Sequence, residues 1–298
     1  MKSILLSAAA AAAVTAAVAG PALADPGAEV EIEHAVARVV VIVEDRADVG
    51  VEIQQGASRL PALRVERRGA DVRISGGLGR RVAGFRAGDG IGDCRSGPDQ
   101  TRPGQGASVE VRGIGRVSVD DAPLIVIRAP RDVRIDAGSA VFGSIGRGAA
   151  SVELGNGGCG DWVVANTDGP VEVSSGGSGG MMVGTSRSLE VNLAGSGDVT
   201  AGATGRLEIS LAGSGGATIA EVNGDVDISI AGSGETTIRR GRAPNLEIAI
   251  AGSGDIDFGG TAGDVSISIA GSGDVRVAEA TGSVSRSVIG SGDIRIGR

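Results

Sequence analysis

Tyrosine is absent from this chain, tryptophan and histidine occur once each, and phenylalanine three times. So few rings exclude a core organised around aromatics, and they leave no aromatic platforms on which a sugar could stack. The single histidine, His34, has no nucleophile or partner in view, which argues against histidine-based acid–base catalysis. Positive charge is also short: the formal net charge is −8, unfavourable for nucleic acid or an anionic membrane surface as partner. Beyond the first two dozen residues no segment is apolar and long enough to span a bilayer as a helix. Only two cysteines occur, Cys94 and Cys159, and in an exported chain they suggest one disulfide. No residue set compels an enzyme or a cofactor.

What is abundant is glycine, at 53 residues, and much of it is periodic. Gly-Ser-Gly returns seven times, with central serines at Ser178, Ser196, Ser214, Ser233, Ser253, Ser272 and Ser291, that is, 18, 18, 19, 20, 19 and 19 residues apart. A fixed period near twenty with alternating aliphatics is the signature of a β-solenoid. Positions seven, five and three before each serine are apolar, as in Leu207, Ile209 and Leu211, or Val265, Ile267 and Ile269. With a period of two these side chains point to one face, the interior. Small or aliphatic residues three and five positions after the serine make a second strand. Each rung then has two short strands, joined by the Gly-Ser-Gly corner and by a looser far-edge turn such as Val222-Asn-Gly224. The same count finds two degraded earlier rungs, with Cys159 on a serine position, for about nine in all.

Residues 1–24 read as a secretory leader: Lys2, an apolar stretch from Ile4 to Ala19, and Ala22-Leu-Ala24 before the cleavage point. The chain then divides into a strand-rich N-terminal cap, or set of atypical first coils, over 25–108, containing a Gly/Arg-rich loop at 75–107 with no periodicity, and a solenoid over 109–298. In the last rung Arg286 occupies a slot held elsewhere by Ile248 and Ile267, and is expected to close the C-terminal end of the stack.

Val226-Asp-Ile-Ser-Ile-Ala-Gly-Ser-Gly and its copies, together with the leader and the Ala37-Arg-Val-Val-Val-Ile preface, resemble an exported bacterial family named "putative auto-transporter adhesin head, GIN domain". The resemblance runs from about Val109 to the C-terminus and is most specific from Leu189 to Ile296. It implies an all-β, right-handed parallel β-helix outside the cytoplasm, in the periplasm or on the surface of a Gram-negative bacterium. It implies no established activity. No transmembrane β-barrel pattern follows the repeats, so the reading is of a scaffold and not a complete autotransporter.

The sharpest chemical feature is a column of acids six residues before the serine positions: Glu153, Glu172, Glu190, Glu208, Asp227 and Glu247, with Asp132 expected one rung earlier. Between inward slots these side chains point outward. Like charges ~5 Å apart repel by roughly 0.8 kcal/mol per neighbour in water, so the column is either a solvated face that keeps the solenoid soluble or a candidate site for divalent cations or a basic partner. A second, broken column runs through Asp161, Asp198, Glu235, Asp255, Asp274 and Asp293. Gly-Ser-Gly-Asp differs by one residue from the calcium-binding nonapeptide pattern, and on a strand that shift reverses the side of the ligand. Cys94 and Cys159 are expected to pin the long loop to an early rung. The functional expectation is an exported, non-enzymatic solenoid that binds a protein or an envelope polysaccharide. The alternatives are a carbohydrate-active β-helix enzyme and a cation-stiffened envelope component.

Overall fold

The computed structural model describes residues 28–82, 85–87, 90–97 and 102–297; the expected leader and its cleavage point lie outside the described residues. The molecule is an all-β parallel solenoid of about nine turns with ~19 residues per turn. Thirteen strands define its lower half: β1 (Glu29–Glu33), β2 (Val36–Val43), β3 (Gly50–Gln54), β4 (Arg64–Arg68), β5 (Asp71–Ser75), β6 (Arg80–Val82), β7 (Phe85–Ala87), β8 (Ile91–Arg95), β9 (Ser108–Val111), β10 (Gly115–Ser118), β11 (Leu124–Ala129), β12 (Asp132–Ala137) and β13 (Ala140–Ile145).

The first face is the column of strands that precede the corner. It begins with β4, β5, β1 and β12 and continues through Ser151–Asn156, Pro170–Ser175, Ser188–Leu193 and Arg206–Leu211 to Val284–Gly290. The second face follows the corner and runs β3, β11, β2, β13, Trp162–Val164, Met181–Val183, Val199–Thr204 and onward. Pairing is parallel except at the lower end, where β4 and β3 run antiparallel to β5 and β11. Alternation places Leu189, Val191, Leu207, Ile209, Val226 and Ile228 inside, each no more than 2% exposed. The glycine corners let these turns stack without a step. At Gly195 an added Cβ would lie 2.0 Å from the carbonyl oxygen of Gly177 one turn below, so no larger residue fits. Gly252 adds a positive φ of 143°, which L side chains rarely adopt.

Three features differ from the sequence expectation. The far edge is not only a turn. From Ala203 onward it contributes short parallel pairings of its own, Thr204 with Val222, Val222 with Gly241, Ala243 with Ala262 and Ala262 with Ala280, giving the upper turns a third side. Val222, Ala243 and Ala262 are fully buried there, packed inward in place of a loose loop. Second, the segment expected to be an aperiodic loop contains strands. β8, β9 and β10 form an antiparallel sheet whose Val109, Val111 and Val117 pack with Leu78, Val119 and the outward side chain of Phe142 in a separate small core. The Val109-Glu-Val111 alternation supplies that core, and the bond between Cys94 and Cys159, with Cα atoms 6.2 Å apart, ties it to the corner between Ser151–Asn156 and Trp162–Val164.

Third, the N-terminal strands do not all sit at the end of the stack. Only β3 and β4 do, and there Arg67 occupies the slot below inward Val72 and donates to the carbonyl oxygen of Val49 at 3.0 Å. β1 and β2 lie deeper, between β5 and β12 and between β11 and β13. At the opposite end Arg286 takes the slot above Ile267 and is exposed, as are Val288 and Ile289.

Candidate functional site

The expected acid column exists as a register of paired neighbours on the first face: Glu153, Glu172, Glu190, Glu208, Asp227 and Glu247, followed by Ser266 and Ser285. Its foot is different from expectation. Asp132 pairs with Ser151, and the residue below Glu153 is Arg134, above Glu29. The error is one of register: counting one 19-residue period back from Glu153 reaches Arg134, whereas the degraded Gly138 corner misleads by two residues. The guanidinium of Arg134 lies 3.1 Å from the Glu153 carboxylate.

That cation, missed from the sequence, divides the row into unequal environments. Glu153 has Arg134. Glu190 accepts a hydrogen bond from the side-chain amide of Asn192 at 3.0 Å, and Glu208 has Arg206 at 3.6 Å. Glu172 stands between Glu153 and Glu190 with neither. Partial burial, then the charges of Glu190 and Glu153, push its carboxyl above the ordinary glutamate range, and Arg134 only partly offsets them. Parallel strands hold the carboxylates one strand spacing apart, and none can leave the row without breaking the inward alternation.

A shallow groove of about 570 Å³ runs beside the row. Its acidic wall is Glu153 and Glu172, its floor is the next outward row of Gly155, Ser174, Asn192 and Ser210, and its far wall is the corner. It exists because the floor residues are small while the wall residues are long. The floor row continues through Ser229, Ala249 and Ser268. On the second face Thr200, Thr218 and Thr237 align similarly, ending at Asp257 and Arg276. Among the described residues no three acidic, cysteine or histidine side chains converge as a metal-binding group.

The broken second column has a structural task. Asp161, Asp198, Asp255 and Asp274 each accept, through one carboxylate oxygen, the backbone N–H of the residue one turn above, at 2.8–2.9 Å from Gly180, Gly216, Asp274 and Asp293. The corner leaves that N–H without a strand partner, and the aspartate satisfies it. The acid after Gly-Ser-Gly is thus explained by the corner.

Residues 200–297 match the sequence model of the family described as "Putative auto-transporter adhesin, head GIN domain". No curated protein matches the chain. The GIN-domain match covers about the last third of the chain: the three-sided turns, the later Gly-Ser-Gly corners and the upper acid row from Glu208. Most of the groove, with Arg134, Glu153 and Glu172, lies before it, as does Glu190 of the row. The disulfide and the satellite sheet also lie outside the matched residues. The only tryptophan, Trp162, is fully buried in the main core, so it offers no surface for a sugar. His34 sits at an early corner, its Nε2 3.7 Å from Glu33 and its Nδ1 buried without a hydrogen-bond partner among the described residues. No helix among the described residues is long and apolar enough to cross a membrane.

Proposed function

We propose that this protein is an exported, non-enzymatic scaffold that binds its partner on the first outer face, along Glu153, Glu172, Glu190 and Glu208 and the adjoining groove. The observation that carries the reading is the electrostatic state of the row: its members repel, one of them is pushed up in pKa, and the sequence nevertheless keeps an acid at six successive turns. A cationic protein surface laid along the row relieves that repulsion, and the Ser and Asn floor supplies hydrogen bonds to it. The adhesin-head family match and the absence of aromatic rings on the face favour a binding role over turnover. Export rests on the leader read at residues 1–24, which leads to the periplasm or the cell surface.

The test is binding of the full chain to fractionated envelope proteins and to envelope polysaccharides on an array, with turnover followed in parallel. The Glu153→Gln/Glu172→Gln/Glu190→Gln variant is expected to lose binding to a basic protein, and added salt is expected to weaken it. A polysaccharide bound equally by both forms would overturn the basic-partner reading. Any reproducible cleavage product would overturn the non-enzymatic one. A second reading draws on the same repulsion: divalent cations bridge the row and stiffen the envelope component. It requires a rise in melting temperature at millimolar calcium that the triple variant lacks.

A further inference from the structure

The strand pair β1–β2 is bonded on both sides by strands that arrive much later in the chain. Val30 pairs with Val72 below and Ile135 above, and Val39 with Ile125 below and Gly143 above. The two walls of this slot are joined to each other without the pair. β11 passes directly to β12 through Pro130 and Arg131, bypassing the level that β1–β2 occupy. The pair is therefore an insert in a frame that has its own covalent continuity. Val30, Ile32, Val39 and Val41 are at most 1% exposed, so the frame cannot stand empty without opening the core to water.

The link between the insert and the downstream chain is short, residues 44–49, and polar over 44–48 except for Ala47, with Val49 buried in the main core at its far end. It is held by contacts of Arg46 with Glu44 at 3.4 Å and with Asp48 at 3.0 Å, and by the pair of Arg128 with Glu44. Exposed pairs of this kind contribute little and are screened by salt. Val43 lies beside Ala129 and Gly50 beside Arg128, on opposite sides of β11, so the link spans two strand spacings, about 10 Å. Six residues cover that distance with slack.

We propose that β1–β2 is exchangeable, and that two copies of this chain pair by each placing its own β1–β2 in the other's slot. Every contact between insert and walls is the same in the closed monomer and the exchanged dimer, so the two differ only in the link and in association entropy. The slot selects a second copy because it demands two consecutive parallel strands with apolar inward alternation, joined by a corner that fits under Gly138 and Ser139. The backbone N–H of Gly138 donates to Ile32 and that of Ala140 to Ala35.

The test uses the full chain carrying Glu31→Cys and Asp136→Cys, a pair aligned across β1 and β12 on the outer face. The protein is unfolded under reducing conditions, then refolded and oxidised at a series of concentrations. The bond is intrachain in the closed form and interchain in the exchanged form, so a covalent dimer on a non-reducing denaturing gel reads the exchange. The dimer fraction is expected to rise with concentration, and to become the major species when residues 45–48 are deleted, because the two residues left cannot turn and span the gap unstrained. A control pair at Ser210→Cys and Ser229→Cys, aligned on adjacent turns above the slot, is expected to stay intrachain. Intrachain bonding alone at every concentration, with the shortened link as well, would overturn the proposal. So would an equal dimer yield from the control pair.

Discussion

Two adjacent glycines at one corner make opposite predictions from the same geometry. A Cβ built on Gly177 would lie 1.8 Å from the carbonyl oxygen of Gly158 in the turn below and 2.6 Å from its carbonyl carbon, whereas a Cβ on Gly176 meets nothing within 4 Å. Relief for Gly177→Ala needs a separation of more than 1 Å, because Cβ contacts below 3.0 Å essentially never occur. That movement breaks the two hydrogen bonds by which Ser178 and Gly179 donate to Gly158, at 3.1 and 3.3 Å. At about 0.5–1.5 kcal/mol each, plus an overpacking cost of roughly 1–3 kcal/mol, the substitution should destabilise by about 2–6 kcal/mol. Gly176→Ala has no contact to break and reduces the freedom of the unfolded chain, so it should lie between neutral and a gain of roughly 1 kcal/mol. Calorimetric melting of the two variants decides the matter. At roughly 2–4 °C per kcal/mol for a chain of this size, Gly177→Ala should melt about 4–24 °C below the parent. A difference between the two variants of less than about 0.5 kcal/mol would show that the corners are not sterically locked to one another, and the account of the repeat would fail.

Thr236 occupies an inward slot between Ala217 and Ile256, fully buried, with its hydroxyl unpartnered; Thr236→Val should stabilise by about 1–3 kcal/mol in denaturant titration, and any loss would mean that the hydroxyl is bonded. Glu172 is held above its ordinary range, so its charge is a penalty on the folded state at neutral pH. That penalty disappears as pH falls through the folded value and is absent below the unfolded one near 4.5. Glu172→Gln should therefore be more stable than the parent at pH 7, with the difference vanishing near pH 4. A difference constant with pH would place the effect elsewhere than in the charge.

How much could be read without the fold differs from element to element. The inward triplets such as Val226, Ile228 and Ile230, and the corners one turn apart, follow from spacing alone, because a strand has a period of two and each turn repeats the demands of the last. The acid row was legible for the same reason, and its foot was not. Where the corner motif degrades to Ala137-Gly-Ser139, counting from the corner and counting one period back from Glu153 give different residues, and strand pairing decides for Arg134 over Asp132. The third side was hidden because Val222 and Ala243 sit in stretches too short to show alternation.

Composition by itself determined that this chain stacks: glycine at the corners, aliphatics between them and almost no aromatics leave a narrow repeated core as the available solution. Only the tertiary structure decided which carboxylate in the row is pushed up by burial and its neighbours, that the aspartates after Gly-Ser-Gly serve the backbone of the next turn, and that the first strands in sequence are not the first in space. These depend on which residues lie above and below one another. Local pattern cannot specify that where the chain drops to the end of the stack after β2, leaves it after β5 and re-enters it at β11.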